Sequence, residues 1–169
     1  MKPPRILDQI DYQIICELSR DGRLKSAEIA RKLGANERTI RKRIDALIAQ
    51  GAIRVTAVVN PEFFGYLFVA DIFMEVDPQR EAEVIQKLSE MPAISYLAFG
   101  QGTSDLSIEA RFKSNDELRH FIARLLPAIP GLKVTGYALV PRILRNIDEW
   151  MPPAEDFAAG APLDETSGE

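Results

Sequence analysis

Residues 26–51, SAEIARKLGANERTIRKRIDALIAQG, read as two short helices on either side of a tight turn. Ser26 is the expected N-cap of the first, with Ile29, Ala30 and Leu33 as its apolar face and Gly34 as its stop. Only Ala35 intervenes before Asn36, the expected cap of a longer helix whose inward positions are Ile40, Ile44, Leu47 and Ile48. Gly51 follows where a left-handed C′ residue ends such a helix. Upstream, Asp8 precedes Ile10, Ile14, Ile15 and Leu18 on one helical face, and Asp21-Gly22 closes that helix. A supporting helix followed by two helices around a glycine turn is a helix-turn-helix. The plainer alternative is a three-helix bundle that binds nothing.

The outward face of the third helix favours binding. At 100° per residue, Arg38 and Lys42 lie about 200° from the inward Ile40. Arg41 flanks them and Thr39 sits in the first turn. A recognition helix needs its N-terminal side chains aimed at base edges, with cations for phosphates. Arg38, Thr39, Arg41, Lys42 and Arg43 are therefore the expected contacts to double-stranded DNA, with Arg43 nearest the core boundary.

Charge agrees with that division. Residues 1–55 hold 12 Lys and Arg against 7 Asp and Glu, while residues 56–169 hold 9 against 18, in a chain of net charge −4. A basic module suited to a polyanion thus precedes an acidic one with another task. The chain of 169 residues has 46% hydrophobic residues, enough for one domain or two small ones. One cysteine, Cys16, and one histidine, His120, leave no set of ligands for a structural metal, so neither metal nor cofactor is expected. No run approaches the roughly 20 apolar residues of a membrane span, and MKPPRILDQIDYQ has no apolar signal segment. A cytoplasmic protein without a membrane partner is expected.

Beyond Gly51, residues 53–59 are β-rich and suit a wing, a linker strand or both, and Asn60–Tyr66 reads as a turn. Residues 67–76 alternate, with Phe68, Ala70, Ile72, Met74 and Val76 on one face of a strand. A helix is expected over 79–91, strands over 94–99 and 105–112, and a helix from Asn115 with stripe Leu118, Phe121, Ile122, Leu125 and Leu126. A last strand runs over 132–140. The order β-α-β-β-α-β is ferredoxin-like, an antiparallel sheet backed by two helices. The fold class is thus α+β: a (winged) helix-turn-helix domain over 1–53, linker strand and turn over 54–66, a ferredoxin-like domain over 67–145 and an acidic tail over 146–169. The sheet face away from the helices, expected to carry Tyr96, Tyr137 and Leu139, suits pairing with a second copy. From Met151 onward the chain has five acidic residues, three prolines and no basic residue, so it is expected to be disordered.

The first 66 residues resemble the N-terminal domain of the Lrp/AsnC (feast/famine) transcriptional regulators. The resemblance rests on Leu7, Asp8, Asp11, Ile14 and Ile15; on Asp21-Gly22-Arg23; on Glu28-Ile29-Ala30; on Thr39, Ile40, Arg43, Ile44 and Leu47; and on Gly51, Ile53 and the Asn60-Pro61…Gly65-Tyr66 element. The second half resembles the family's effector-sensing domain, including its G-x-x-D loop as Gly102, Thr103, Ser104 and Asp105. The resemblance covers roughly residues 6–145. It implies a regulator whose ferredoxin-like domain makes homodimers, often four in an octameric ring, with an amino-acid effector bound between dimers near that loop.

At such a site Asp105 would take the ammonium, while Thr103, Ser104 and the amides near Gly102 would take the carboxylate. In the alternative, Gly102 makes the turn and Asp105 only caps it. The last strand departs from the family's T-x-T pattern: here Thr135, Gly136 and Tyr137 place an aromatic where a second threonine is common, so Thr135 and Tyr137 join the effector set in altered form. Pro141 replaces a leucine, Arg145 a lysine, and Gly100-Gln101 stand where a β-branched residue and a threonine are common. Sirohaem decarboxylases resemble the same architecture yet are enzymes, with histidine and arginine around a tetrapyrrole. His120 falls about 200° from Leu118, off its helix's apolar stripe, so a regulator rather than an enzyme is expected; the other alternative is an effector-binding module whose helix-turn-helix meets only proteins, which the Arg38, Arg41 and Lys42 face opposes.

Overall fold

The Asp8 carboxylate accepts the N–H groups of Ile10 and Asp11 at 3.0 Å, and the Asp11 carboxylate accepts the Asp8 N–H at 3.1 Å. This reciprocal cap satisfies donors that a helix start leaves open, and α1 (Gln9–Arg20) follows. The structure, a computed structural model, describes residues 6–100 and 104–158. α2 (Ser26–Leu33) is capped one residue earlier than expected, at Lys25, whose N–H the Glu28 carboxylate accepts at 3.1 Å. The Ser26 hydroxyl turns instead to the Glu37 carboxylate at 3.3 Å, joining α2 to the start of α3 (Glu37–Ala49). Between them Gly34 adopts φ +63°, a left-handed turn that only glycine makes without strain. Asn36 caps α3 through its side chain, which accepts the Arg38 N–H at 2.8 Å.

Ile10, Ile14, Ile15, Ile29, Ala30, Ile40 and Leu47 are buried together, as the periodicity predicts. Ile48 is exposed, because it lies about 100° around the helix from Leu47 and past the edge of the packed stripe. Residues 53–60 have no regular secondary structure, and Val55, Val58 and Val59 are exposed. Neither a wing nor a linker strand pairs there among the described residues.

The expectation of a disordered tail from Met151 is corrected over 151–158. Phe157 is 6% exposed and belongs to the helical core, with Met151 packed against that core. An acidic, proline-containing stretch remains ordered here because one aromatic finds a place among apolar side chains. The expectation for 159–169 lies outside the described residues.

The chain divides into two units, Met1–Val58 with Arg145–Glu169, and Val59–Leu144. The second unit holds β1 (Phe68–Val76), α4 (Glu81–Ser89), β2 (Ile94–Phe99), β3 (Leu106–Phe112), α5 (Asn115–His120) and β4 (Leu132–Leu139). The strands lie in the order β2-β3-β1-β4, all neighbours antiparallel. Ala70, Ile72, Met74 and Val76 of β1 join Leu106, Ile108, Ala110 and Phe112 of β3 in one core with Val84, Leu88, Leu118, Phe121 and Leu126 from the helical side. At the entrance to β4, Gly131 has φ +84°, and a Cβ there would stand 3.0 Å from Arg80 Cδ.

Two sequence expectations change in this unit. After α5 the chain makes a π turn over Phe121–Leu125. A π turn carries more residues per revolution than an α-helix, so Leu125 rotates into solvent while Leu126 is fully buried. Tyr137 and Leu139 are not on the open sheet face. They pair across from Ile72 and Ala70, whose side chains point to the helices, and cross-strand partners share a face. The open face instead carries Asp71 and Phe73 of β1, Tyr96 of β2 and Glu109 of β3, with Phe73 40% and Tyr96 56% exposed.

Candidate nucleic-acid interface and effector loop

Helix α3 separates its cations by environment. Arg38, Thr39, Arg41 and Lys42 are all exposed. Arg41 pairs with Glu37 one turn back. Arg38 and Lys42 have no side-chain ion pair among the described residues, so both cations are available to an anion. Asn36 and Glu37 set the start of this helix, and Gly34 sets the turn that aims it, so the exposed face follows from local sequence.

Arg43 is used differently from the expectation. One of its guanidinium nitrogens donates to both oxygens of Asp8 at 2.8 Å and to Asp11 Oδ1 at 2.9 Å. Its side chain is 19% exposed and Asp11 is fully buried. Burial tends to raise the Asp8 pKa, but hydrogen bonds from Arg43 and from the N–H groups of Asp11 and Ile10 bring it below the usual carboxylate value. Burial likewise lowers, and the two aspartates more than restore, the affinity of Arg43 for its proton. The arginine is therefore spent within the helical unit: it locks α3 to the start of α1. Its position one step inside the outward arc is a signal the sequence does carry, but the partners Asp8 and Asp11 are more than thirty residues away.

In the second unit, Gly102 and Thr103 of the expected effector loop lie outside the described residues. Ser104 and Asp105 are half-buried. Asp105 links the loop to β1: its Oδ2 accepts the Val76 N–H at 2.9 Å, and its own N–H donates to the Met74 carbonyl at 2.9 Å. The Gly100 N–H donates to the Asp105 carbonyl at 2.8 Å, closing the loop. One carboxylate oxygen of Asp105 is thus spent on the fold. Thr135 is the extra residue of a bulge in β4, where Phe73 pairs with Gly136 but Met74 with Val134. Tyr137, more than half exposed, lines a shallow cleft with Leu139 and with Leu118, Arg119 and Ile122. Asp105 and Tyr137 are therefore held by different parts of β1, the first at Met74 and Val76 and the second opposite Ile72. His120 is exposed at the end of α5, and the described residues contain no group of three or more His, Cys, Asp and Glu placed to hold a metal.

Comparison with known proteins bears on both units. Residues 7–54 match the family described as winged helix-turn-helix DNA-binding, and residues 69–144 the Lrp/AsnC ligand binding domain. The chain is 35% identical over 145 residues to the HTH-type transcriptional regulator FL11 of Pyrococcus furiosus, an alignment spanning 85% of this chain and 95% of that one. Among solved structures, AsnC of Escherichia coli superposes with a TM-score of 0.77 at 22% identity, covering 85% of this chain and 99% of that one. A feast or famine regulatory protein from Mycobacterium tuberculosis, solved with L-methionine, superposes with a TM-score of 0.76 at 20% identity over 86% of this chain and 99% of that one. At these identities the two structures speak to the fold.

Proposed function

The chain belongs to the Lrp/AsnC family of DNA-binding transcriptional regulators, and from that premise we propose that α3 reads a specific duplex sequence through Arg38, Thr39, Arg41 and Lys42. The observation that carries this is the exposure of Arg38 and Lys42 on one face with no ion pair among the described residues, while Arg43 of the same helix is consumed by the fold. Cations free of internal partners can displace counterions from phosphate and bond base edges at little reorganisation cost.

Selection of sites from random duplex DNA, followed by affinity across a salt series, tests the reading. A partly palindromic site with steep salt dependence is the expected result. Replacing Arg38 and Lys42 together by Ala should weaken binding to that site by about 2 kcal/mol or more. Unchanged affinity would remove α3 from the interface.

We propose in addition an effector-binding role for the second unit. The second unit binds a small effector, an amino acid, with Ser104 and the other Asp105 oxygen on one side and Thr135 and Tyr137 as altered contributors from β4. L-methionine in the mycobacterial relative and in a regulator from Neisseria meningitidis supports the ligand class. The open sheet face with Phe73 and Tyr96 supports homodimerisation, and the resemblance supports octamers built from such dimers. Calorimetric titration of the twenty amino acids is the direct test. No heat with any of them, and no change in DNA affinity, would exclude an amino-acid effector.

A further inference from the structure

The matched families end at residue 144, yet the described chain continues into the helical unit. The segment Met151–Ala158 reaches the start of α1 and is held there by several bonds. Gln9 Nε2 donates to the carbonyls of Ala154 at 2.9 Å and Phe157 at 3.1 Å. The Ala158 N–H donates to the Leu7 carbonyl at 2.9 Å, and Asp8 and Ala158 form a parallel bridge. The Phe157 ring lies 5.0 Å from that of Tyr12, centre to centre, and is buried. These contacts surround Asp8, which caps α1 and accepts both short bonds from Arg43 of α3.

We propose that this C-terminal segment is a clasp that positions the DNA-reading helix: Phe157 and Ala158 hold residues 7–9, Asp8 holds Arg43, and Arg43 holds α3. The inference rests on α3 being the DNA-contacting helix. It also gives the C-terminal chain a regulatory place. The polypeptide leaves the helical unit after Val58 and returns to it at Arg145, so that unit is tied covalently to β1 at one end and to β4 at the other. A docked segment on a short tether has a high effective concentration at its groove, and weak changes in the tether shift its occupancy.

The test is Phe157→Ala in the full chain, read at a temperature where far-ultraviolet circular dichroism shows the helices intact. If the docked state falls to a tenth of the population, affinity for the selected site falls about tenfold. Amide exchange at Ile10, Asp11 and Tyr12 should quicken, and a chain ending at Trp150 should regain affinity when a peptide of residues 146–158 is added. Unchanged affinity with folded helices would overturn the proposal, since a segment that merely adds stability would not move it. If Phe157→Ala unfolds the helical unit, Gln9→Ala decides by the same two readings, because it removes the donor to both carbonyls and leaves the aromatic in place. If the intact chain selects no DNA, the reading of α3 fails on its own account. Exchange at Ile10–Tyr12 that is unaffected by Phe157→Ala overturns the clasp whatever DNA does.

Discussion

Within six residues, α3 carries four cations with different fates, and Arg41 pairs with Glu37 one turn back. Arg38 and Lys42 face solvent, whereas Arg43 closes a bridge to Asp8 and to the fully buried Asp11. Removing one partner of a buried ion pair takes favourable interactions from the charges that remain, at a cost of about 3 kcal/mol. Arg43→Ala should therefore lower the stability of the helical unit by about 3 kcal/mol in urea melts, while Arg38→Ala and Lys42→Ala stay within about 0.5 kcal/mol. Equal effects at all three positions would contradict the division. The bridge also sets a pH dependence. The folded Asp8 pKa lies below the ordinary 3.8, so its contribution is complete above that value and is lost as pH falls through the lower folded value. Acid melts should show the helical unit weakening below about pH 4, and Asp8→Asn should flatten that limb.

Among the elements, the helix after β3 and the open sheet face carry the clearest consequences. The π turn turns Leu125 outward and Leu126 inward. Leu126→Ala should cost about 2–5 kcal/mol, against about 0.5 kcal/mol or less for Leu125→Ala; an α-helical stripe would make the two equal. On the open face Asp71 stands opposite Glu109. Burial raises the Asp71 pKa and the Glu109 charge raises it further, while Arg111 neutralises Glu109 alone, at 2.7 Å. Like charges directly opposite destabilise a sheet by a few tenths of a kcal/mol. Because the folded pKa is raised, the penalty is absent below the ordinary 3.8 and grows as pH rises through the folded value. Asp71→Asn should therefore stabilise the sheet unit by about 0.5 kcal/mol at neutral pH and by nothing in acid, as urea melts at the two pH values would read. β4 shows why face assignment from sequence fails at an edge. Alternation marks Tyr137 and Leu139 as one set, but the bulge at Thr135 breaks the count along the strand, and only pairing with Ile72 and Ala70 says which side they take.

Across the whole molecule, each unit has its own buried cluster. Residues 59–144 expressed alone should fold, melt in one transition and, if the open face pairs as proposed, elute as a dimer in light scattering; a folded monomer would refute that pairing. Composition, charge division, helix stops and strand alternation are local properties, and they were enough to establish helix-turn-helix before ferredoxin-like sheet, the element order and the outward cations Arg38 and Lys42. Glycine turns and periodic apolar faces act within a few residues, so they can be read from the chain. Partnerships between distant residues cannot. The capture of Arg43 by Asp8 and Asp11, the spending of an Asp105 oxygen on Val76, the side taken by Tyr137 and the docking of Phe157 beside Tyr12 each join positions far apart in sequence. Burial is a property of the packed whole: an acidic, proline-rich segment holds its place because the helical core leaves room for one aromatic ring, and no pattern within the segment records that room.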